Sequence, residues 1–393
     1  MSANHICPNC GAERMSIFYE LKNVPVHSVL LLATREEALN CPKGDIVLGF
    51  CHLCGFITNV AFDAGLHEYS SRYEGTQGFS PTFNTFHRKL AKYLVEQYDL
   101  RGKDIIEIGC GQGEFLTLLC ELGGNRGVGF DPAHSSERNG NQSDDRITFI
   151  EDFYSEKYDN YRCDFLCCKM TLEHIKPTAE FVRIVRRSIA DNSNTFVFFQ
   201  VPNVMRILRE LAFWDIYYEH CSYFYPGSLV YLFRRYGFDV IDLWKDYDDQ
   251  YLMIVARPGK GQSRLILSQE DELEDQVHDV ANFTEHYQLK LNKWQRDLQR
   301  INQIGQRAVV WGAGSKGVAF LTTLNIQDEI KYVVDINPYK NEMYMAGTGQ
   351  QIVAPEFLRE YKPDVLIVMN PIYCNEIQRD LNQMGITTEL MPV

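Results

Sequence analysis

The sequence predicts an α/β protein in which a doubly wound parallel sheet follows a small cysteine-bearing module and precedes a second, smaller α/β unit. Three observations predict this order. Two CxxC motifs lie near the start, short apolar strand candidates alternate with helical patterns through the centre, and a second such series follows a long helical pattern. Strands that alternate with helices form parallel sheets, whose loops gather at one edge.

The N-terminal cysteines form two pairs, in CPNCG and CHLCG, and a glycine follows each pair. Cys7, Cys10, Cys51 and Cys54 supply four thiolates, which predicts a zinc-ribbon-like site. Such a closed site leaves zinc no open position, so a structural role is expected. The segment 11–50 is predicted to be a loop or a small sheet. A redox-active CxxC and four ordinary buried cysteines are the alternatives.

Composition limits the class of protein. A chain of 393 residues, 45% of them hydrophobic, can form two or three domains with cores of their own. The net charge of −13 argues against a nucleic-acid or anionic-membrane partner, because both require a basic surface. MSANHICPN lacks the pattern of a signal peptide and the apolar runs are too short to span a bilayer, so a cytoplasmic location is expected.

The domain organisation follows from these patterns. Phe83, Phe86, Leu90 and Leu94 have helical spacing and predict a helix at the start of the central unit. A stretch without Pro or Gly, SQEDELEDQVHDVANFTEHYQLKLNKWQRDLQRI, predicts a single helix connecting two domains. The predicted segments are a zinc-binding domain at 1–62, a central domain at 63–258, a connecting helix at 259–305 and a C-terminal domain at 306–393.

The central glycine loop carries the first functional signal. In DIIEIGCGQGEF, a strand candidate runs into Gly109, Gly111 and Gly113, and a helical pattern follows. These glycines let a ligand approach the backbone at the carboxyl end of a strand, where open α/β sheets bind nucleotides. Asp131 ends the next strand, where a carboxylate can hold both ribose hydroxyls. A glycine turn without a ligand is the alternative.

The acidic residues around this loop favour one ligand. The glycine spacing is GxGxG and not the GxGxxG of dinucleotide sites. S-adenosylmethionine carries a sulfonium cation and no pyrophosphate, so it suits a rim formed by Glu107, Asp131 and Asp152. Asp152 is positioned to accept a hydrogen bond from the adenine amine, and Phe153 to pack on the adenine ring.

Together, E-x-G-x-G-x-G at 107–113, Asp131 and Asp152 resemble the class I S-adenosylmethionine-dependent methyltransferases. The whole chain resembles more closely the sugar C-methyltransferases of deoxysugar pathways, through CPNC and CHLC, EIGCGQGEF, YYEHCSYF, WGAGSKG and VVDINPYK. That resemblance implies an N-terminal zinc-binding domain, a central methyltransferase domain and a C-terminal Rossmann-like domain. It also implies a nucleotide-linked keto sugar that is methylated at carbon after an α-proton is removed.

Two segments supply candidate acids and bases. KMTLEHI places Glu173 and His174 at the carboxyl edge of the sheet, and DIYYEHCSYF places Tyr217, Glu219 and His220 at the same edge. Transfer to carbon needs a base and a group that holds the enolate oxygen, and these residue types suit both tasks.

The backbone of YYEHCSYF decides which of these side chains meet. A strand would separate Tyr217 from His220, whereas a helical turn would bring them together. The family's catalytic Tyr-x-Glu-His matches Tyr217, Glu219 and His220 and favours the turn. Tyr73, or alternatively Tyr69, is predicted to close over the donor. The alternative is that the tyrosines are core aromatics and His220 is a packing residue.

The C-terminal glycine loop, VVWGAGSKGVAF, has the GxGxxG spacing, and Asp335 ends the next strand. We predict that Gly312, Gly314, Gly317 and Lys316 receive the phosphates of a nucleotide sugar. The alternative for this C-terminal unit is a scaffold that binds no ligand. For the whole chain, one alternative is a methyltransferase that acts on oxygen or on a different small molecule. The others are an NAD-dependent oxidoreductase and a noncatalytic interaction protein. Asn370, Pro371 and Tyr373 lie where the sugar enzymes are expected to have a Trp-Asn pair.

Overall fold

The N-terminal module is an antiparallel sheet that carries the two cysteine pairs at its end. The computed structural model describes residues 5–67, 69–70, 72–135, 144–190, 192, 194–259, 267–326 and 328–393. Strand β1 (Ser16–Pro25) pairs with β2 (Lys43–Phe50), which pairs with β3 (Ile57–Asn59), and helix α1 (Arg35–Leu39) lies between the first two strands. The segment between the cysteine pairs therefore forms a small sheet, as predicted.

Helix α2 (Pro81–Gln97) opens the central domain, as the spacing of its apolar residues predicted. Phe83, Phe86, Leu90 and Leu94 are all buried. The Ser80 hydroxyl caps the helix by accepting a hydrogen bond from the Phe83 N–H at 3.2 Å, and it donates to the Glu376 carboxylate at 2.8 Å. This capping residue thus joins the central and C-terminal parts of the chain.

The central domain contains a seven-stranded sheet with helices on both faces. Its strands are β4 (Asp104–Ile108), β5 (Arg126–Phe130), β6 (Ile147–Ile150), β7 (Phe165–Lys169), β8 (Phe196–Pro202), β10 (Phe238–Asp246) and β11 (Tyr251–Pro258). Their order is β10-β11-β8-β7-β4-β5-β6. Strand β11 runs antiparallel to both of its neighbours, whereas β4 to β8 are parallel, so the carboxyl ends of β4 to β8 meet at one edge.

The other elements of this domain cover the sheet and link it to the N-terminal module. The helices are α3 (Glu114–Gly123), α4 (Thr178–Ser188), α5 (Val204–Arg209) and α6 (Pro226–Arg235). The two-residue strand β9 (Ser222–Tyr223) pairs with β3 instead of with the central sheet. The segment that carries Tyr217 and His220 is therefore held against the N-terminal module.

Helix α7 (Leu273–Gln303) is the long connecting helix, and it begins later than its sequence pattern suggested. Residues 260–266 of the predicted connecting segment lie outside the described residues. Phe283 packs on Tyr19 of β1 with ring centroids 5.7 Å apart, and Trp294 packs on Phe320 of the C-terminal domain at 5.1 Å. The helix is therefore an integral part of a core that all parts of the chain share.

The C-terminal domain contains a five-stranded parallel sheet, whose strands are β12 (Ala308–Trp311), β13 (Ile330–Val334), β14 (Gln351–Val353), β15 (Val365–Val368) and β16 (Glu389–Pro392). Their order is β14-β13-β12-β15-β16. Its helices are α8 (Ser315–Thr323), α9 (Leu358–Tyr361) and α10 (Cys374–Met384). The α/β class with three such parts is confirmed, whereas the domain boundaries stay predictions. No helix among the described residues is long and apolar enough to cross a membrane.

Candidate active site

Two cavities open where the parallel strands of the central and C-terminal sheets have their carboxyl ends. The central cavity, about 580 Å³, lies over the loop Gly109–Gly113. The interdomain cavity, about 250 Å³, lies between the central sheet and the loop Gly312–Gly317. Tyr217 and His220 line both cavities. The two cavities therefore meet at the predicted catalytic pair.

The central glycine loop is held by the carboxylate of Asp131. One of its oxygens accepts a hydrogen bond from the Gly111 N–H and the other from the Ala133 N–H, both at 2.8 Å. Burial raises the pKa of Asp131, and the two N–H donors oppose this shift. At Gly109, φ is +70° and an added Cβ would lie 2.0 Å from the Thr171 hydroxyl, so this position requires glycine.

Asp152 and Phe153 lie at the mouth of the central cavity, together with Asp131. The Asp152 carboxylate pairs with Lys157 and accepts hydrogen bonds from the Tyr158 hydroxyl at 2.6 Å and the Phe153 N–H at 2.8 Å. The contacts with Lys157 and Tyr158 lower the pKa of Asp152, which is therefore ionised at neutral pH. Phe153 is 59% exposed and its ring is available to a ligand.

Glu107 also lines the central cavity, at a buried position. It is 2% exposed and lies beneath the cavity, and its Oε2 has no hydrogen-bond partner among the described residues. Burial raises the pKa of Glu107 to about 8. Glu107 lies on a strand in the middle of the sheet, so its side chain points into the layer of helices instead of towards solvent.

The segment of Tyr217 and His220 forms a turn, and the strand alternative is wrong for these residues. The His220 N–H donates to the Tyr217 carbonyl at 3.2 Å, and the two rings lie 4.2 Å apart. Burial lowers the pKa of His220 well below its usual value, and His174 and Lys316 lower it further. The imidazole of His220 is therefore neutral at physiological pH and able to accept a proton.

His220 has a buried acidic neighbour. Oε1 of Glu173 lies 4.0 Å from Nε2 of His220, and the His174 ring lies 4.8 Å from the His220 ring. Neither oxygen of Glu173 has a hydrogen-bond partner among the described residues, and its side chain is fully buried. Burial raises the pKa of Glu173 to about 8. Burial also lowers the pKa of His174.

Glu219 points away from both cavities. Its Oε2 accepts hydrogen bonds from the N–H and the hydroxyl of Ser28, and its Oε1 lies 3.7 Å from Nδ1 of His27. Burial favours protonation, but the contacts with His27 and Ser28 and the nearby His174 lower the pKa of Glu219 overall. The Ser28 Oγ also lies 2.7 Å from the Ser315 Oγ. Glu219 thus connects the turn of Tyr217 and His220 to the N-terminal module.

Tyr69 and Tyr73 line the central cavity side by side, with ring centroids 5.3 Å apart. The Tyr69 ring also lies 5.9 Å from that of Phe153. Burial and the charge of Glu219 raise the pKa of both phenols well above the usual value, so both remain hydrogen-bond donors. The structure brings both candidates to the cavity and does not choose between them.

The C-terminal glycine loop is held in the same way, by Asp335. Its oxygens accept from the Ala313 N–H at 2.8 Å and the Asn337 N–H at 2.9 Å. Gly317 lies so close to the Gly312 carbonyl that an added Cβ would be 2.3 Å from that oxygen. Gly312, Gly314, Lys316, Gly317 and Asp335 all line the interdomain cavity.

Lys316 is already paired in this cavity. Its Nζ lies 2.7 Å from the Asp215 carboxylate and 3.2 Å from Oε1 of Gln250. The same Gln250 oxygen accepts from the amide of Asn370 at 2.9 Å. Asn370, one of the residues that departs from the sugar-enzyme pattern, therefore shares a network with the candidate phosphate ligand.

The four cysteines lie together, as the motif predicted. The Sγ atoms of Cys7 and Cys54 are 3.7 Å apart, and those of Cys10 and Cys51 are 3.5 Å apart. All four sulfur atoms lie within 4.8 Å of one another and are buried. Gly11 and Gly55 have φ of +78° and +69°, which the turns after the two cysteine pairs require.

The sequence reasoning missed several residues that line the site or support it. His27 and Ser28 have no local signal, because their importance comes from a contact with the distant Glu219. Lys169 and His87 lie beneath the central cavity. Lys169 did have a signal, because a lysine that ends the otherwise apolar strand FLCCK faces the ligand edge of the sheet.

Family comparisons agree with this arrangement. Residues 83–243 match a methyltransferase domain, and residues 255–388 match the C-methyltransferase C-terminal domain. The chain is an S-adenosylmethionine-dependent methyltransferase. It is 25% identical over 306 residues to the C-methyltransferase NovU of Streptomyces niveus, a similarity that covers 74% of this chain and 72% of that protein.

Solved structures similar to this methyltransferase cover less than half of the chain. One is 1,6-didemethyltoxoflavin-N1-methyltransferase from Burkholderia thailandensis, with 15% identity, a TM-score of 0.36 and coverage of 46% of this chain and 82% of that one. Another is magnesium protoporphyrin IX methyltransferase from Synechocystis, with 12% identity, a TM-score of 0.36 and coverage of 45% and 84%.

Proposed function

We propose that this methyltransferase transfers the methyl group of S-adenosylmethionine to a carbon atom next to the ketone of a nucleotide-linked sugar. The observation that supports this proposal is the position of Tyr217 and His220 at the junction of the two cavities. A donor over the central glycine loop and an acceptor held by the C-terminal loop would meet at these two side chains. The C-methyltransferase domain match and the NovU similarity favour transfer to carbon.

The donor would be held by the residues of the central cavity. In this proposal the loop Gly109–Gly113 lies against the donor, and Asp131 binds the ribose hydroxyls with the lone pairs that its two N–H donors leave free. Asp152 accepts a hydrogen bond from the adenine amine, and the exposed ring of Phe153 packs on the adenine. Either Tyr69 or Tyr73 covers the donor.

The acceptor is activated by removal of a proton. His220, whose imidazole is neutral, takes the proton α to the ketone, and the Tyr217 hydroxyl donates a hydrogen bond to the enolate oxygen. Oε1 of Glu173 lies 4.0 Å from Nε2 of His220, and this carboxyl group would stabilise the imidazolium once it has lost its own proton. His174, packed edge-on against His220, restricts the orientation of that ring.

S-adenosylmethionine, when bound, supplies the electrophilic methyl group. A carbon–carbon bond to the acceptor forms as the bond from sulfur to that methyl group breaks. His220 then releases its proton to solvent. The products are the methylated sugar, S-adenosylhomocysteine and one proton, so atoms and charge balance.

The nucleotide part of the acceptor would lie in the interdomain cavity. The N-terminus of α8 and its Lys316 face this cavity, which favours phosphate groups. Because Lys316 pairs with Asp215, phosphate binding requires Lys316 to exchange this partner for a phosphate oxygen or to bind both. We expect the reaction to take place in the cytoplasm.

We also propose that the N-terminal cysteines hold one structural zinc ion. Four buried sulfur atoms within 4.8 Å of one another suit a tetrahedral four-thiolate site, and such sites contribute directly to folding. Metal analysis of the reduced protein should find about one zinc per chain. Cys51→Ser should lower the unfolding temperature, and a metal-free wild-type protein of equal stability would contradict the site.

The experiment that tests the proposed function is a mass-spectrometric screen of nucleotide-linked keto sugars with S-adenosylmethionine. We expect a product heavier by one methyl group, with that group on carbon. In heavy water the acceptor should also exchange its α-hydrogen without the donor. A product methylated on oxygen, or methylation without any such exchange, would contradict the enolate mechanism.

A further inference from the structure

Three side chains with metal-ligating atoms converge beside the junction of the two cavities. Glu173 and His174 lie in the short helical turn after β7, and His220 lies in the turn before β9. One ligating atom of each residue lies within 4.8 Å of the others. Oε1 of Glu173 is 4.0 Å from Nε2 of His220, and the two imidazole rings are nearly perpendicular with centroids 4.8 Å apart. This group is separate from the four cysteines.

The protein leaves polar atoms of this group without hydrogen bonds. Neither oxygen of Glu173 has a partner among the described residues, although the side chain is fully buried. Nδ1 of His174 and Nδ1 of His220 are also buried without a partner in the described part of the chain. Buried polar atoms without partners are unfavourable, so a ligand that contacts the Glu173 carboxyl group would remove part of that cost.

Two imidazoles and one carboxylate form a donor set that suits zinc and similar divalent ions, and three protein ligands leave one position open. His174 and His220 line the central cavity, so an ion can approach from there. Atoms that bind zinc tetrahedrally at about 2.0–2.1 Å lie about 3.3 Å apart, so the three side chains would have to close by at most about 1.5 Å. The ion would replace the proton that burial favours on Glu173.

The charges around the group are mixed. The carboxylate of Glu219 favours positive charge at His174, whereas Lys316 opposes it at His220. Lys316 is itself paired with Asp215, with 2.7 Å between Nζ and the carboxylate, which weakens its repulsion of a second cation. The surroundings therefore permit a divalent ion.

We propose that Glu173, His174 and His220 bind a zinc ion and that this ion inhibits the enzyme reversibly. Because Nδ1 of His220 is buried, Nε2 is the atom available to an acceptor, and its lone pair would also bind the ion. An ion at Nε2 would prevent His220 from taking a proton. Metal binding does not depend on the proposed function, whereas the inhibition rests on His220 being the base of that reaction.

Cobalt titration of the zinc-loaded protein tests the site without a donor or an acceptor. Cobalt takes the same ligands as zinc and absorbs visible light, and thiolate ligands add a charge-transfer band at shorter wavelength. We expect uptake of about one further ion per chain, with visible bands and without the thiolate band. Glu173→Gln should weaken this binding at least about tenfold, because it removes a ligand. Glu96→Gln, exposed near the end of α2, removes the same charge and should bind cobalt like the wild type.

The outcomes separate this site from the cysteine site. No uptake by the zinc-loaded wild type, a thiolate band, or equal affinity of Glu173→Gln would overturn the proposed ligands. If Glu173→Gln fails to fold, His174→Ala replaces it with the same expected loss, and the wild-type spectrum still decides.

Turnover at increasing zinc concentration tests the inhibition. Zinc should lower the turnover of the wild type over the concentrations at which it displaces cobalt, and a chelator that leaves the cysteine-bound zinc in place should restore turnover. Metal uptake with unchanged or higher turnover would overturn the inhibition. Failure of the proposed function would also remove the inhibition, but it would be recognised separately, because the cobalt spectrum would then still report metal binding.

Discussion

The two glycine loops share one framework and differ in charge. In each, a parallel strand runs into glycines, and an aspartate at the end of the next strand accepts hydrogen bonds from two backbone N–H groups. Asp131 does this for the central loop and Asp335 for the C-terminal loop. Each aspartate therefore stabilises the neighbouring glycine loop, whether or not the aspartate also binds a ligand.

The side chains around the two loops are different. The central cavity contains the buried Glu107 and Lys169, neither of which is fully paired by protein. In the interdomain cavity, Lys316 pairs with Asp215 and Lys340 lies 3.6 Å from Asp335. The same backbone framework therefore leaves a buried glutamate and lysine incompletely paired at one site and holds its lysines in ion pairs at the other.

The largest expected effect lies where the two cavities meet. His220→Ala should reduce turnover about 10²- to 10⁴-fold, because it removes the proposed base, while both ligands still bind. Steady-state kinetics combined with donor calorimetry would measure this. His278→Ala, exposed on α7, is the matched control. Full activity of His220→Ala would show that this imidazole is not the base.

A methyl group added to each loop should distinguish the two sites. Gly109→Ala should weaken donor binding at least about tenfold, because it combines a positive φ with a clash against Thr171. Gly314 has a negative φ and open space, so Gly314→Ala should keep the donor affinity of the wild type. Equal donor affinities of the two variants would indicate that the donor does not lie at the central loop.

Charge removal at the C-terminal loop should affect the acceptor alone. Lys316→Met should raise the KM of the nucleotide sugar about tenfold, the loss of one charge-assisted contact, without changing donor affinity. Lys331→Met, on the exposed side of β13, controls for net charge. An unchanged KM would favour the interpretation of the C-terminal domain as a scaffold.

The smallest effect concerns the buried acid that faces His220. The pKa of Glu173 is raised to about 8 in the folded protein, so the folded state retains a proton that the unfolded chain loses above its ordinary pKa. This contribution to stability is complete at low pH and decreases as the pH rises through 8, by at most about 1.4 kcal/mol per unit. Between pH 6 and 8, the free energy of unfolding should therefore fall less for Glu173→Gln than for the wild type. Urea unfolding at both pH values measures this difference. Equal losses would exclude a protonated Glu173.

Local patterns were sufficient to predict the elements that build the site. The glycine loops follow strands because glycine positions and strand–helix alternation are local signals. At Tyr217 and His220 the residues alone leave a strand and a turn open, and only the resemblance to the family's Tyr-x-Glu-His favours the turn that the structure contains. Strand β14 was not predicted, because its three residues are too few to show a period. The same limit applies to β9, which is defined by pairing with β3 and not by its own sequence.

Contacts between distant segments could not be predicted in this way. Glu219 was expected to take part in catalysis, yet it binds Ser28, a residue of the N-terminal module. The burial of Glu107 depends on how helices cover β4, which one sequence does not reveal. The assignment of Glu107 to donor binding stays a prediction. The same is true of the roles proposed for the other candidate site residues.

The hydroxyl of Ser28 limits how the domains of such an enzyme can be separated or exchanged, in evolution or in the laboratory. This one group contacts Glu219, which lies next to the proposed base His220, and Ser315 at the start of α8. A central domain expressed by itself would lack both Ser28 and Ser315. The ionised carboxylate of Glu219 would then lose the two hydrogen bonds that Ser28 donates to it. A C-terminal domain grafted from a relative with a different acceptor would have to retain a small hydroxyl at the position of Ser315, or it would displace the catalytic turn of its new host.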